Sequence, residues 1–298
     1  MMVSRQETPP WEPELAGAPR SPLALTLARL RRSRPAMAGL MLVILLVVIA
    51  LLAPLLAPYD PLAMQGAQAL LPPSRAHPFG TDQFGRDVFS RTLHGARLSL
   101  LAGVLPVVFA LVFGVGLGLV AGYGGGWLRA ALMRLTDVLL AFPVLLLALF
   151  IVATLGPDFG HVMLGVGISF IPNYVRLTYG SVLSVKEQEY ILAARAYGCG
   201  PARIVLRHIL PNILSPVIVL AALNVAWAIL TVASLSFLGL GVQPPTPEWG
   251  MMVKEGSDYL RNYWWVSTCP GLAIMLTVWS ANLLGDGLRD ALDYRLVL

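Results

Sequence analysis

Over residues 35–59 the chain carries no charge, a run longer than the roughly 20 apolar residues needed to cross a bilayer. Water does not reach the hydrocarbon, so each backbone N–H and C=O in such a run must be satisfied within the protein. An isolated apolar run achieves this only as a helix. The same demand recurs along the sequence. Charged residues are 12% of the chain, where soluble domains carry about a quarter, and hydrophobic residues are 57%. An all-α, polytopic membrane protein follows, with six expected spans: residues 35–59, 98–123, a third ending near Leu155, 161–183, a fifth ending near Ser236, and 266–284.

The organisation along the chain has three parts. Residues 1–34 form an N-terminal tail, Pro-rich and disordered to about Pro22, then a basic amphipathic segment. Residues 35–96 hold the first span and an external loop, and residues 97–298 the core. Arg29, Arg31, Arg32 and Arg34 precede the first span, which places the N-terminus in the cytoplasm, and an even number of spans returns the C-terminus to the same side. Arg75, Arg86, Arg91 and Arg97 in and beside the 60–96 loop oppose this orientation; the summed bias and the first span outweigh them. In that loop Thr81 or Asp82 is expected to cap a short helix, and Asp87 with Arg91 to form an i,i+4 ion pair. Residues 127–137 read as a short basic turn, with Asp137 paired to Arg134, and Pro143 as a kink in span three. Tyr259, Tyr263, Trp264 and Trp265 read as an interfacial aromatic belt.

Several function classes lack their residues. A net charge of +5 admits nucleic acid in principle, but the arginines sit at the ends of apolar runs and no basic-aromatic platform accompanies them. The two lysines, Lys186 and Lys254, fit no phosphate-binding motif, so no ATP site is expected on this chain. No nucleophile-base pair or metal-ligand cluster is apparent, and His161 stands without a second ligand, so neither an enzyme nor a metal site is expected. Cys199 and Cys269 fall on opposite sides of the membrane and are not expected to form a disulfide. Gly114, Gly118 and Gly122, four residues apart, suit close helix packing in lipid; if they form a packing seam, Gly118→Leu should weaken subunit assembly. Asn224 either bonds across helices or lines a path, and Arg176 either snorkels to the inner surface or faces a wet interior.

One polar, basic stretch interrupts this pattern, residues 187–212, EQEYILAARAYGCGPARIVLRHILPN. It reads as two short helices with a bend, the coupling loop occupying 185–211. Ser184 and Glu187 have capping-box spacing, placing a helix start near Val185 with Tyr190, Ile191, Ala194 and Tyr197 on one face. Gly198 suits a C-terminal stop, Gly200-Pro201 a new start, and Pro211 a limit to the second helix.

The residues Leu192-Ala193-Ala194, Gly198 and Leu210-Pro211 resemble, in spacing, the cytoplasmic loop motif of permease subunits of binding-protein-dependent ABC importers. Leu192 stands where the motif has an acid and His208 where it has isoleucine; Glu189, one turn earlier, is positioned to supply the charge. The segment from His77 to Arg91, together with SFLGLGVQPPTPEWG and LLGDGLRDALD, resembles the dipeptide, oligopeptide and nickel branch, and the likeness spans roughly residues 35–294.

That resemblance implies a type I importer fold in the bacterial inner membrane and half of a translocation path for di- or oligopeptides. It also implies three partners: a second homologous permease subunit, cytoplasmic ATPase subunits that carry ATP and Mg, and an external substrate-binding protein. In that picture Glu189, Ala193, Ala194, Gly198, Leu210 and Pro211 dock the ATPase, and the short helices pass its closure to spans four and five. A secondary transporter driven by an ion gradient is the alternative, but mid-span acids and paired broken helices in an inverted repeat, which it would favour, are not apparent. A membrane scaffold gives the loop no purpose.

Overall fold

The computed structural model describes Ala28 and residues 30–292; the expected disordered tail and most of the amphipathic segment lie outside the described residues. Ten helices follow: α1 Arg34–Leu56, α2 Val88–Tyr123, α3 Gly126–Leu140, α4 Val144–Leu155, α5 Phe159–Lys186, α6 Glu189–Ala196, α7 Pro201–Ile204, α8 Leu210–Phe237, α9 Trp249–Ser257 and α10 Trp265–Leu292. No strand occurs among the described residues.

Four of these are long and apolar enough to span a membrane: α1, α2, the continuous rod Pro201–Phe237 that contains α7 and α8, and α10. The α3–α4 pair makes a fifth if its two limbs, bent by 95°, are one broken span. Helix α5 equals α8 in length at 28 residues, but Asn173, Tyr174, Arg176 and Thr178 interrupt its apolar run. The third span departs most from expectation. Residues 127–137 are not a turn but belong to the 15-residue α3, and Pro143 caps α4 instead of kinking a continuous helix. Proline lacks an N–H and disfavours helical geometry in the residue before it, so the helix stops at that point. The 12 residues of α4 reach about 18 Å, short of the roughly 30 Å hydrocarbon core.

The helices run between two ends. At one end lie the start of α1, the α2–α3 junction, the 187–210 loop and the end of α10: Lys186 Nζ donates to the Gly122 carbonyl, and Leu30, Ala36 and Ala291 cluster. The other end holds residues 57–87 and 238–264. Helices α2 and α5 form the most extensive pair. A Cβ on Gly118 would sit 2.5 Å from Thr178 Cβ, and one on Gly122 would sit 2.7 Å from Val182 Cβ; Gly114 lies against Ile171 and Tyr174. The glycine seam is therefore filled by α5 of the same chain, not left for another subunit. Behind it Ala110, Val115, Val166, Phe170, Val217 and Val232 form the main core.

The far end is fastened by charge. Arg86 Nε bonds Asp82 Oδ2 at 2.6 Å, while Arg86 and Arg91 reach Glu255 at 3.3 and 3.1 Å. Both guanidiniums are buried. Arg91 also donates to the carbonyls of Pro61 and Pro245. Asp87 caps α2 through Ser90 N at 2.7 Å and meets His77 Nδ1 at 2.9 Å. The helix thus begins at Val88 behind Asp87, not behind Thr81 or Asp82, and the expected Asp87–Arg91 pair is replaced by these longer-range partners. Trp265, read as part of a surface belt, is buried and donates to the Thr81 carbonyl at 3.2 Å.

Arg97 fastens the first helix. Pro54 has no N–H, which leaves the Ala50 carbonyl without its helical partner, and Arg97 Nε donates to that oxygen at 2.7 Å. A second donor reaches Leu51 O at 2.9 Å.

Candidate functional site

The polar loop is built as helix, tight turn and helix, but its boundaries are shifted. Helix α5 runs through Ser184 to Lys186, so no capping box forms, and α6 starts at Glu189 behind Gln188. It ends in a full Schellman turn: Gly198 N donates to Arg195 O at 2.9 Å and Cys199 N to Ala194 O at 3.1 Å, with Gly198 at φ +78°. Gly200 then caps α7, with Pro201 at the first helical position. Pro211 does not end the second helix. The chain continues through a π turn at Val205–Ile209 directly into α8, with Leu210 N bonding Val205 O. The wider turn precedes the proline whose ring and missing N–H would break an ordinary ladder. Asn212 Nδ2 donates to the His208 carbonyl at 2.6 Å and to the Tyr190 hydroxyl at 3.1 Å.

Ile191 alone of the expected apolar face is fully buried, against Val182, Ile204, Ile209 and Ile213. Tyr190 and Tyr197 point outward, Tyr197 with 89% of its surface exposed. Glu189, Ala193 and Gly198 are exposed and Ala194 is half-buried. Leu192, at the acid position, is 52% exposed. These residues present one surface. Leu210 instead packs inward against the core, and Pro211 lies on the rod next to the π turn, so the two belong to the root of the loop. Arg195 stacks over the Tyr123 ring at 5.5 Å, holding α6 against α2. Local spacing gives no signal for the burial of Ile204, Ile209 and Ile213, whose separations of five and four share a face only across the π turn, and Tyr197 points away from the face its spacing assigns.

Asn224 makes a cross-helix bond, Nδ2 to the Tyr174 hydroxyl at 3.1 Å, both side chains being buried. Arg176 borders an open cavity of about 790 Å³ between α5, α8 and α10, with Asn173, Asn212, Ser215 and Arg289 also on its wall. Asp137 pairs with Arg176 at 3.1 Å, not with Arg134. No group of three metal-ligating side chains occurs among the described residues.

The long apolar helices are those of a polytopic membrane protein, and sequence comparison identifies its family. Residues 114–298 match the family model described as the binding-protein-dependent transport system inner membrane component, and the chain belongs to that family. Residues 21–73 match the N-terminal TM domain of oligopeptide transport permease C. The dipeptide transport system permease protein DppC of Escherichia coli is 48% identical, with 94% of this chain and 96% of that protein aligned. The di/tripeptide transport system permease protein DppC of Pseudomonas aeruginosa is 45% identical, with 93% of each covered. Among solved structures, an inward-facing MetNI methionine ABC transporter superposes with a TM-score of 0.56 at 16% identity, covering 67% of this chain and 96% of that one; it supports the fold.

Proposed function

We propose that this chain is one permease subunit of an ATP-driven importer and forms half of a path for dipeptides or oligopeptides. The observation that carries the reading is α6 itself: a short helix pinned by one buried isoleucine and closed by a Schellman turn, with Glu189, Ala193 and Gly198 facing outward. Small residues on that surface permit close approach of a cytoplasmic ATPase subunit, with Ala194 at its margin and Leu210 and Pro211 setting the root from which the loop projects. The loop end is then cytoplasmic, and the start of α1 and end of α10 lie on the same side. The chain sits in the bacterial inner membrane beside a second, homologous permease subunit and receives substrate from an external binding protein. ATP and Mg belong to the ATPase subunits, and this chain is non-catalytic. Peptide as substrate is supported by the relatives named for dipeptide transport.

The test is reconstitution of the chain with the permease, ATPase and binding-protein subunits encoded beside it. ATP-dependent uptake of a labelled dipeptide, lost when the ATPase subunits are omitted, is expected. Uptake driven by an ion gradient without them would overturn the proposal.

A further inference from the structure

Among the described residues, every ion pair but one lies in the buried cluster at the far end. The exception is Arg176–Asp137, which joins α5 to α3 at 3.1 Å, with side chains 57% and 48% exposed. Arg176 lines the 790 Å³ cavity, whose polar wall also includes Asn173 and Ser215. Both side chains stand clear of the packed core of this chain, so packing within it does not account for the pair; Arg176 is the member on the cavity wall, and Asp137 is the partner that holds it there. Each is presented on a separate helix, and Arg has a long flexible stem.

We propose that Arg176 and Asp137 form an exchangeable pair that receives the two charged ends of a zwitterionic peptide, the carboxylate on Arg176 and the ammonium on Asp137. The inference rests on the importer reading above and names the chemistry its path accepts. The termini of a dipeptide are separated by no more than roughly 7 Å, a gap the arginine spans by changing rotamer. Exchange leaves no charge unpaired: one protein–protein pair becomes two protein–peptide pairs. A peptide with one end capped leaves one partner unmatched, so the exchange favours free ends. Guanidinium and carboxylate also meet in a two-pronged geometry that fixes orientation.

The test uses the assembled complex in nanodiscs, without nucleotide or binding protein, so that the binding protein's own selectivity does not enter. Equilibrium binding of labelled Ala-Ala is compared with N-acetyl-Ala-Ala and with Ala-Ala amide. Saturable binding of Ala-Ala is expected, about tenfold weakened by either cap. Asp137→Asn should abolish discrimination against the acetyl cap alone, and Arg176→Gln against the amide cap alone. A structural role would weaken all three ligands together. That outcome, equal affinities in the wild type, or no saturable binding of Ala-Ala overturns the inference. ATP-driven Ala-Ala uptake by the same complex with its binding protein is measured in parallel. Uptake without end-specific binding sinks only this inference, whereas absence of uptake removes the importer reading with it.

Discussion

Gly198 shows how much one residue can ask of a loop. Its φ of +78° lies in the left-handed region, which costs other L-residues roughly 1–2 kcal/mol, while nothing in this chain lies within 4 Å of the position of an added Cβ. Backbone demand and surface demand can therefore be separated. Gly198→Asn, a residue that tolerates this region, is expected to keep the subunit's thermal stability. Gly198→Val should lower it by about 1–2 kcal/mol, read as a shift in unfolding midpoint of purified protein. Gly198→Asp should insert normally yet uncouple uptake from ATP hydrolysis, because it places bulk and charge on the proposed docking surface; wild-type uptake in proteoliposomes would contradict that role. Arg86, Arg91 and Arg97 make a different point. On the proposed orientation they run against the positive-inside expectation, yet they are not free charges: two are matched by Asp82 and Glu255, and the third is committed to carbonyls of α1. Breaking that match has a calculable direction. Glu255→Gln leaves two buried guanidiniums facing one carboxylate and should destabilise the fold by about 3–5 kcal/mol, measured as a fall in thermal midpoint and as tryptic cleavage within residues 60–87.

At the scale of elements, the α2–α5 seam decides what its glycines do. Since α5 already fills it, Gly118→Leu should prevent folding of the chain itself, seen as loss of monodisperse protein on size-exclusion chromatography before any partner is added. Gly116 is the internal control, because nothing lies within 4 Å of its Cβ position; Gly116→Leu should behave as wild type. A result in which Gly118→Leu folds normally but fails only to bind the second permease would return the seam to the subunit interface. The broken α3–α4 element was hidden by composition. Its residues are apolar enough for a span, and only the effect of Pro143 on Phe142 divides them into two limbs at 95°.

Across the whole molecule, legibility follows the range of the interactions. Four of the six expected spans stand as long apolar helices, and these were readable because backbone satisfaction in lipid is a demand on local composition; the third is broken into two limbs and the fourth, α5, is too polar to rank with them. The Schellman turn was readable because Gly198 and Gly200-Pro201 encode it within four residues. The far-end cluster was not, since Arg86 and Glu255 are separated by 169 positions and the local i,i+4 rule selects Asp87 and Arg91 instead. Asp137 with Arg176 escaped for the same reason. So did Ser184, whose capping-box spacing is overridden by packing that carries α5 three residues further.

The π turn between α7 and α8 has an angular consequence. A regular helix advances about 100° per residue, whereas a turn closed from residue i to i+5 takes in one extra residue with little net rotation, so α6 keeps the azimuth about α8 that an unbroken helix one residue shorter would give it. Deleting Leu206 should therefore restore an ordinary helix with α6 facing the same way. Inserting one alanine after Leu206, a second extra residue that the turn does not absorb, should swing α6 by about 100°, detectable as changed distances between spin labels on the loop and on α10, with ATPase binding lost while the helical bundle stays intact. The π turn thus acts as a shim: it takes up one residue of chain and leaves the aim of the loop where it was.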